Sequence, residues 1–290
     1  MRAVIGCAVA VLSVISASCT SADESTAPSH SAAAITTGRR ASADALPLAT
    51  LACGAQITSD VKLDNDLTCT GIALVVTGDD IWIDLNGHTI AGNGSTDGIT
   101  ITGSHDVRIF GGTVRGFVTG MFVAGGSTGI VIRDNEFTLN RTAVLFQAVE
   151  GSIIKHNVVT NHTMRAFMLR PNLLGVQSTN NTIIGNVVSD TPTGIFLIRQ
   201  PGNTIQANTI IGSTIAGIDL GEGTGTVSDN IVRANLLTGG GAGIRFSAGW
   251  TGNTFVGNRI ASNTCGTKGS TAGNTLNGNV FSGNATDACP

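Results

Sequence analysis

Two short sequence patterns recur about every 22 residues along most of this chain, and a repeat of this kind restricts the fold more than any other feature. The first pattern, here called the apolar repeat, is a Gly or Ala followed by alternating apolar residues. It starts at Gly98, Gly120, Ala143, Ala166, Gly194, Gly217 and Gly243. Apolar residues at every second position are typical of strands, whereas helical repeats are longer and place apolar residues three or four positions apart. The sequence therefore predicts a solenoid of short stacked strands.

The second pattern is a pair of Asn residues five positions apart with an apolar residue between them. Aligning the repeats on the second Asn gives the column Asn135, Asn157, Asn186, Asn208, Asn235, Asn258 and Asn279. An inward-facing amide can donate to one neighbouring coil and accept from the other, and each buried polar group left unpaired would cost about 1 to 3 kcal/mol. We therefore expect these Asn residues to form an internal ladder with a structural role.

The composition agrees with stacked strands and excludes some partners. The chain has 39 Gly, no Tyr and only 12% charged residues, which suits closely packed strands better than a helical bundle. A formal net charge of -3 predicts no strong attraction to nucleic acid. The sequence shows no Cys/His spacing typical of a metal site, so we expect no metal and no cofactor, except Ca²⁺ if the protein is a lyase.

From about Cys53 to the C-terminus, the chain resembles the pectin-lyase-like superfamily of right-handed parallel β-helices. The segment Ile83–Ile90 is similar to the first coil of many exported members. The resemblance implies an all-β, single-domain solenoid of about eight coils. It also implies an association with carbohydrate, although the superfamily includes lyases, hydrolases, epimerases and proteins without known catalysis.

The N-terminus predicts export. Residues 1–18 contain Arg2, an apolar run and small residues at the end, as in a secretory signal peptide. Cys19 follows directly, which resembles the lipobox of bacterial lipoproteins, but Ser16 and Ser18 depart from that motif. A lipid anchor on Cys19 and free secretion therefore both stay open. The location is periplasmic, cell-surface or secreted.

The region after residue 18 divides into two parts. Residues 19–47 are rich in Ser, Ala and Thr and lack a periodic apolar pattern, so we expect a flexible tether. The β-helix domain spans residues 48–290. Nothing in the pattern indicates an oligomeric state.

Four cysteines follow the tether, and four cysteines allow three pairings. The solenoid places Cys53 and Cys69 at one end and Cys265 and Cys289 at the other. Eight coils at about 4.8 Å each separate the ends by about 35 to 40 Å, far beyond the reach of a disulfide. We therefore predict the disulfides Cys53–Cys69 and Cys265–Cys289, one at each end.

Because side chains alternate along a strand, the third residue of each apolar repeat should face outward. These residues are Thr100, Phe122, Leu145, Met168, Phe196, Asp219 and Arg245. Four consecutive apolar members predict an exposed apolar stripe. A partner, a crossing loop or a ligand would cover this stripe, or the long loops would fold back over it.

Two coils are longer than the others, with inserted segments at about 170–179 and 222–228. Insertions in a solenoid usually form loops on one face, often the binding face. We expect them to wall a cleft over the coil that begins at Gly194. The candidate ligand-binding residues are Arg170, Phe196, Arg199, Gln200, Asp219, Glu222, Arg245 and Trp250, with the Trp250 indole available to stack on a sugar ring.

The chemistries known on this fold limit the possible reactions. The absence of Tyr excludes the Tyr and His pair of the alginate epimerases and several alginate lyases. Hydrolysis of the polygalacturonase type needs clustered Asp residues, which this chain lacks. Elimination of the pectate-lyase type could use Asp219 and Glu222 as Ca²⁺ ligands and Arg199 or Arg245 as the base.

Three functions therefore remain. The first is binding of an extended acidic polysaccharide in the cleft. The second is a polysaccharide lyase that cleaves a uronic-acid polymer by β-elimination, and whether the protein is an enzyme stays open. The third is a non-catalytic structural or surface protein.

Overall fold

The computed structural model describes residues 46–221 and 227–290, and the regular secondary structure of these ranges consists of 32 β-strands. The signal peptide, Cys19 and nearly all of the tether lie outside the described residues. The strands, numbered β1 to β32 in chain order, form three parallel sheets. The chain passes through each sheet once per coil.

The three sheets have the following strands in spatial order. Sheet 1 contains β1 (Leu48–Ala49), β3 (Val61–Leu63), β6 (Trp82–Asp84), β9 (Arg108–Phe110), β12 (Val131–Arg133), β15 (Ile153–Lys155), β18 (Thr182–Ile184), β21 (Thr204–Gln206), β24 (Ile231–Arg233), β27 (Thr254–Val256) and β30 (Thr275–Asn277). Sheet 2 contains β31 (Val280–Ser282), β28 (Arg259–Ala261), β25 (Leu236–Thr238), β22 (Thr209–Ile211), β19 (Val187–Ser189), β16 (Val158–Thr160), β13 (Glu136–Thr138), β10 (Thr113–Arg115), β7 (Thr89–Ala91) and β4 (Leu67–Thr68). Sheet 3 contains β2 (Ala55–Ile57), β5 (Leu74–Val76), β8 (Asp97–Thr102), β11 (Thr119–Ala124), β14 (Thr142–Gln147), β17 (Arg165–Arg170), β20 (Thr193–Ile198), β23 (Ala216–Gly221), β26 (Ala242–Phe246), β29 (Cys265–Lys268) and β32 (Thr286–Cys289).

This architecture confirms the predicted right-handed parallel β-helix, but it has about ten coils rather than eight. The additional coils lie at the two ends. Near the N-terminus, β5 pairs with β8 in the register that aligns Ala73 with Gly98, but β5 has three residues rather than six. The terminal coil ends in β32, which is mostly exposed.

The predicted Asn ladder is confirmed in the interior. Asn186, Asn208 and Asn258 are buried. Along the whole column, the Nδ2 group of each Asn donates to the Oδ1 atom of the Asn in the next coil, at 2.8 to 3.3 Å. The backbone N–H of each Asn donates to the same Oδ1 atom.

Each residue before a ladder Asn has a left-handed backbone conformation, which turns the chain sharply from sheet 1 into sheet 2. The φ angles are 54° at Asp134, 53° at His156 and 65° at Gly185. Asp, Asn and Gly adopt this conformation more easily than other residues. The turn directs the Asn side chain inward, so the turn and the ladder depend on each other.

Two further internal columns occupy the other corners of the coil. The first Asn of the sequence pair forms a second ladder through Asn181, Asn203, Asn230, Asn253 and Asn274. The third corner, between sheets 2 and 3, contains Asn140, His162, Thr191, Ser213, Gly240, Asn263 and Asn284, each preceded by a residue with positive φ. The hydrogen bonds at this corner are less regular than in the two Asn ladders. Only four of these residues have a side-chain amide or imidazole that accepts from a backbone N–H of the preceding coil.

Both predicted disulfides are present. Cys53 is bonded to Cys69, with 5.6 Å between their Cα atoms, and Cys265 is bonded to Cys289, with 5.9 Å. Each bond joins residues at one end of the solenoid, where a terminal coil has a neighbour on one side only. Within residues 46–221 and 227–290 there is no helix with the length and apolar character needed to span a bilayer.

Candidate ligand-binding site

The outward-facing residues of sheet 3 form one continuous column across the coils. In the register of the strands, the column runs through Thr100, Phe122, Leu145, Met168, Phe196, Asp219, Arg245 and Lys268. This order follows from the alternation of side chains along each apolar repeat.

The apolar part of this column is largely buried, which corrects the expectation of an exposed stripe. Leu145, Met168 and Phe196 are 7%, 8% and 8% exposed and form a cluster separate from the interior core. The Arg165 guanidinium lies 4.2 Å from the centroid of the Phe196 ring, a cation–π arrangement. Long charged side chains can cover apolar surface with their aliphatic parts, so the stripe is a covered floor.

A trough of about 320 Å³ lies over this floor, across strands β11, β14 and β17. Three basic side chains line it, Arg141, Arg165 and Arg170, and we call it the arginine trough. Arg165 and Arg170 are the first and last residues of β17, and Arg141 directly precedes β14. Asp97, Thr119 and Thr142 add polar groups on the side where the strands begin, and Phe122, Leu145 and Met168 form the apolar base.

The charges of the trough converge on Arg165. Burial lowers the pKa of its guanidinium. The Asp219 carboxylate opposes this shift, while the charges of Arg141, Arg245 and Arg170 lower the pKa further. Four guanidinium groups are thus close enough to interact, with Asp219 as a counter-charge. Such a half-buried excess of positive charge is stabilised by a bound anion.

Two of these guanidinium groups have an unsatisfied donor. The Nε atoms of Arg165 and Arg170 are buried and have no hydrogen-bond partner within the described part of the chain. The Nη1 atom of Arg165 contacts the Sδ atom of Met164 at 2.9 Å, and a thioether is a weak acceptor. A buried donor without a partner costs about 1 to 3 kcal/mol, so neither guanidinium group is fully satisfied by the described residues.

Asp219 and Arg245 form a two-point ion pair at the other end of the column. The Nε atom of Arg245 donates to Oδ1 of Asp219 at 2.9 Å, and Nη2 donates to Oδ2 at 2.5 Å. Asp219 is 2% exposed. Both carboxylate oxygens therefore have a partner, so Asp219 holds Arg245 in place and is poorly suited to act as a Ca²⁺ ligand.

Two other predicted ligand-binding residues lie inside the solenoid. Gln200 is buried, accepts a hydrogen bond from the backbone N–H of Ser178 and donates to the carbonyl of Ile198. Trp250 is buried, and its Nε1 donates to the Gly221 carbonyl at 2.9 Å. Because Trp250 pairs with the buried Val227, its indole fills the core. The predicted stacking on a sugar ring is wrong for this placement.

Arg199 and the long coils complete the predicted set. Arg199 follows β20 with a φ of 53°, is half-buried, and its Nε atom has no partner within the described residues. Glu222 lies outside the described residues. The first insertion forms a loop over Ala124 and Gln147, next to coils that precede it. The trough therefore lies over β11 to β17 rather than over the Gly194 coil.

Arg141 and Arg165 are not among the residues predicted from the sequence. In the register of the strands, Arg165 occupies the position of Thr142 and Thr193, just before the apolar repeat. An arginine between two threonines of the neighbouring coils is the signal that could have identified it. Arg141 and Arg170 line the same trough only because their coils stack on each other.

In fold, the chain is similar to several solved structures. The alginate lyase from Paenibacillus sp. str. FPU-7 is 16% identical, with a TM-score of 0.59 over 79% of this chain and 92% of that one. The periplasmic alginate epimerase AlgG is 14% identical, with a TM-score of 0.53 over 81% and 77%. A mutant tailspike protein of E. coli bacteriophage HK620, in complex with a hexasaccharide, is 13% identical, with a TM-score of 0.55 over 81% and 52%. Likeness at these identities establishes the fold.

No curated protein sequence shows significant similarity to the chain. A family profile matches it in two overlapping segments, residues 54–215 and 168–289. The family is described as "Periplasmic copper-binding protein (NosD)". Because the two segments together span the β-helix from its first disulfide-bonded coil to its last, this chain is a member of the NosD family.

Proposed function

We propose that this protein is exported and binds an extended acidic polysaccharide in the arginine trough. The observation that carries the proposal is the set of three guanidinium groups over an apolar floor, two of which have a buried Nε–H without a partner in the described structure. A guanidinium group matches a carboxylate with two parallel hydrogen bonds. The partly exposed Phe122 ring at the base of the trough suits the less polar face of a sugar ring.

The shape of the site supports a polymer rather than a single sugar. Strands in a sheet are about 4.8 Å apart, and the column of sheet 3 continues from the trough past Asp219 to Arg245 and Lys268. These last two side chains line a second pocket, of about 340 Å³, on the same side of the sheet. The sugar-related names of three fold neighbours favour carbohydrate by analogy.

Two observations favour export. Disulfides such as Cys53–Cys69 and Cys265–Cys289 persist in oxidising compartments outside the cytosol. The NosD family description is of a periplasmic protein. A signal peptide over residues 1–18 belongs to this proposal, followed by either lipidation of Cys19 or free secretion.

Copper, which the family description names, does not fit the described residues. Copper sites bring together imidazole and sulfur ligands. The described cysteines form disulfides, and Met121 and His162 are buried in the interior. Within residues 46–221 and 227–290, no three His, Cys, Asp or Glu side chains are grouped so that they could hold a metal ion. We therefore assign no copper-dependent step.

The test is a binding titration with a panel of acidic and neutral polysaccharides, using Arg165→Gln combined with Arg170→Gln. We expect the native chain to bind a uronate polymer and the double variant to lose at least tenfold in affinity, because charge-assisted hydrogen bonds contribute about 1.5 to 3 kcal/mol each. Binding should weaken as salt increases. The matched control is Arg115→Gln combined with Arg259→Gln, two exposed arginines of sheet 2.

Equal affinity in the trough variant and the control variant would refute the site. The same titration tests β-elimination, since its unsaturated product absorbs near 235 nm. One observation favours that alternative: burial lowers the pKa of Arg165, the direction that a general base requires. If the native chain binds no glycan of the panel and releases no unsaturated product, a structural role replaces both proposals.

A further inference from the structure

The inserted loop after β17 holds two leucines out in solvent. Leu173 and Leu174 are 101% and 90% exposed, the two highest values among the large apolar residues that the structure describes. Adjacent leucines with this exposure lose the favourable free energy of burial. The loop is also an addition, because the coil from Ala166 to Asn186 is longer than most others.

Hydrogen bonds within the loop hold these leucines outward. The carbonyl of Asn172 accepts from the N–H of Gly175 at 3.0 Å, which closes a tight turn with Leu173 and Leu174 at its two central positions. The Oδ1 atom of Asn172 accepts from the N–H of Leu174 at 3.0 Å and of Val176 at 2.9 Å. The tip is thus a hydrogen-bonded turn, and its backbone conformation directs both leucine side chains into solvent.

Basic residues stand where the loop leaves and rejoins the solenoid. Arg170 is the last residue of β17, directly before the loop. At the other end, Nε2 of Gln177 donates to the carbonyl of Arg199 at 2.8 Å, which places that residue beside the returning chain. An apolar tip with cationic residues at its base matches the two layers of an anionic bilayer surface, acyl chains below and negative headgroups above.

We propose that residues 171–178 form a membrane-contact loop, which inserts Leu173 and Leu174 into the acyl boundary of an anionic lipid surface. The arginines at its base then interact with the headgroups. The charge complementarity favours a lipid surface over an apolar pocket of another protein. This proposal shares Arg170 with the arginine trough, but it does not require the trough to bind a glycan.

The first experiment is vesicle flotation of the full exported chain, with Cys19→Ser in every sample so that a lipid on that residue cannot contribute. Vesicles contain phosphatidylcholine alone or with phosphatidylglycerol. Two arginines at the surface should favour the anionic vesicles by roughly 30-fold, at about 1 kcal/mol each. Leu173→Ser combined with Leu174→Ser should reduce flotation to background. The matched control is Val158→Ser combined with Val187→Ser, two paired valines that are each 45% exposed on sheet 2.

A local readout separates insertion from other changes. An environment-sensitive fluorophore on Leu174→Cys should shift to shorter wavelengths on anionic vesicles, while the same fluorophore on Val187→Cys should not. The proposal is overturned if the native chain floats with neither vesicle, if the serine pair at 173 and 174 floats like its control, or if both fluorophores respond alike. In those cases the leucines serve a protein partner. Normal glycan binding by the Leu173/Leu174 variant would show that the two sites are separate.

Discussion

At the residue scale, the ion pair between Asp219 and Arg245 decides what a substitution of Arg245 can report. Asp219 is almost fully buried and both of its oxygens are bonded to Arg245. Removing one partner of a buried pair leaves an uncompensated charge, so Arg245→Ala should lower the free energy of unfolding by about 2 to 4 kcal/mol. Adding Asp219→Asn should recover part of that loss. Denaturant unfolding measures both effects, and an unchanged stability of Arg245→Ala would contradict the pair.

His162 is the second residue with a defined consequence, because it occupies a ladder position otherwise suited to Asn. Its Nδ1 atom lies 3.0 Å from the backbone N of Asn140, and burial lowers its pKa from 6.5 to about 4. The native state therefore binds this proton less readily than the unfolded state. Above about pH 6.5, His162 is neutral in both states and does not reduce the free energy of unfolding. As the pH falls from about 6.5 towards 4, protonation of His162 in the unfolded state lowers the free energy of unfolding by on the order of 3 kcal/mol.

Replacement of His162 by Asn should remove this part of the pH dependence. The measurement is the free energy of unfolding at pH 7 and pH 4.5 for the native chain, His162→Asn and the exposed control His156→Asn. The control should keep the native pH dependence. If His162→Asn keeps it as well, another group causes the acid sensitivity.

At the scale of elements, the Asn ladder links each coil to the next. Asn208 donates to Ile183 and Asn235 and accepts from the N–H and Nδ2 of Asn186. Asn208→Leu would leave these partners unpaired in the interior, and we expect a loss of about 2 to 4 kcal/mol in the free energy of unfolding. Asn277→Leu, at an exposed position of β30, should change it by less than about 0.5 kcal/mol. Equal melting temperatures for the two variants would argue against the ladder.

Some of these elements could be predicted from the sequence and others could not. The outward column and the ladder follow from local periodicity, because a two-residue alternation and an Asn every 22 residues or so each determine where a side chain points. The burial of Trp250 could not be predicted, since an inserted segment before it hides the register that pairs it with Val227. The trough could not be predicted either, because Arg141 and Arg165 precede the apolar repeat and meet only when the coils stack.

At the scale of the whole molecule, the described coils place the outer column and the arginine trough on the outside of sheet 3. The disulfides secure the two ends, the ladders join the coils, and the outer column changes from apolar to charged along its length. The arginine trough lies over the apolar part, and the loop of residues 171–178 follows the end of β17. We propose that this trough receives the carboxylates of a polysaccharide.

The most direct measurement is a crystal structure of the protein with a uronate oligomer of defined length. We predict sugar density across β11, β14 and β17, with a carboxylate oxygen within hydrogen-bonding distance of the guanidinium group of Arg165 or Arg170. Density on another face of the solenoid, or an empty trough at saturating oligomer, would contradict the account.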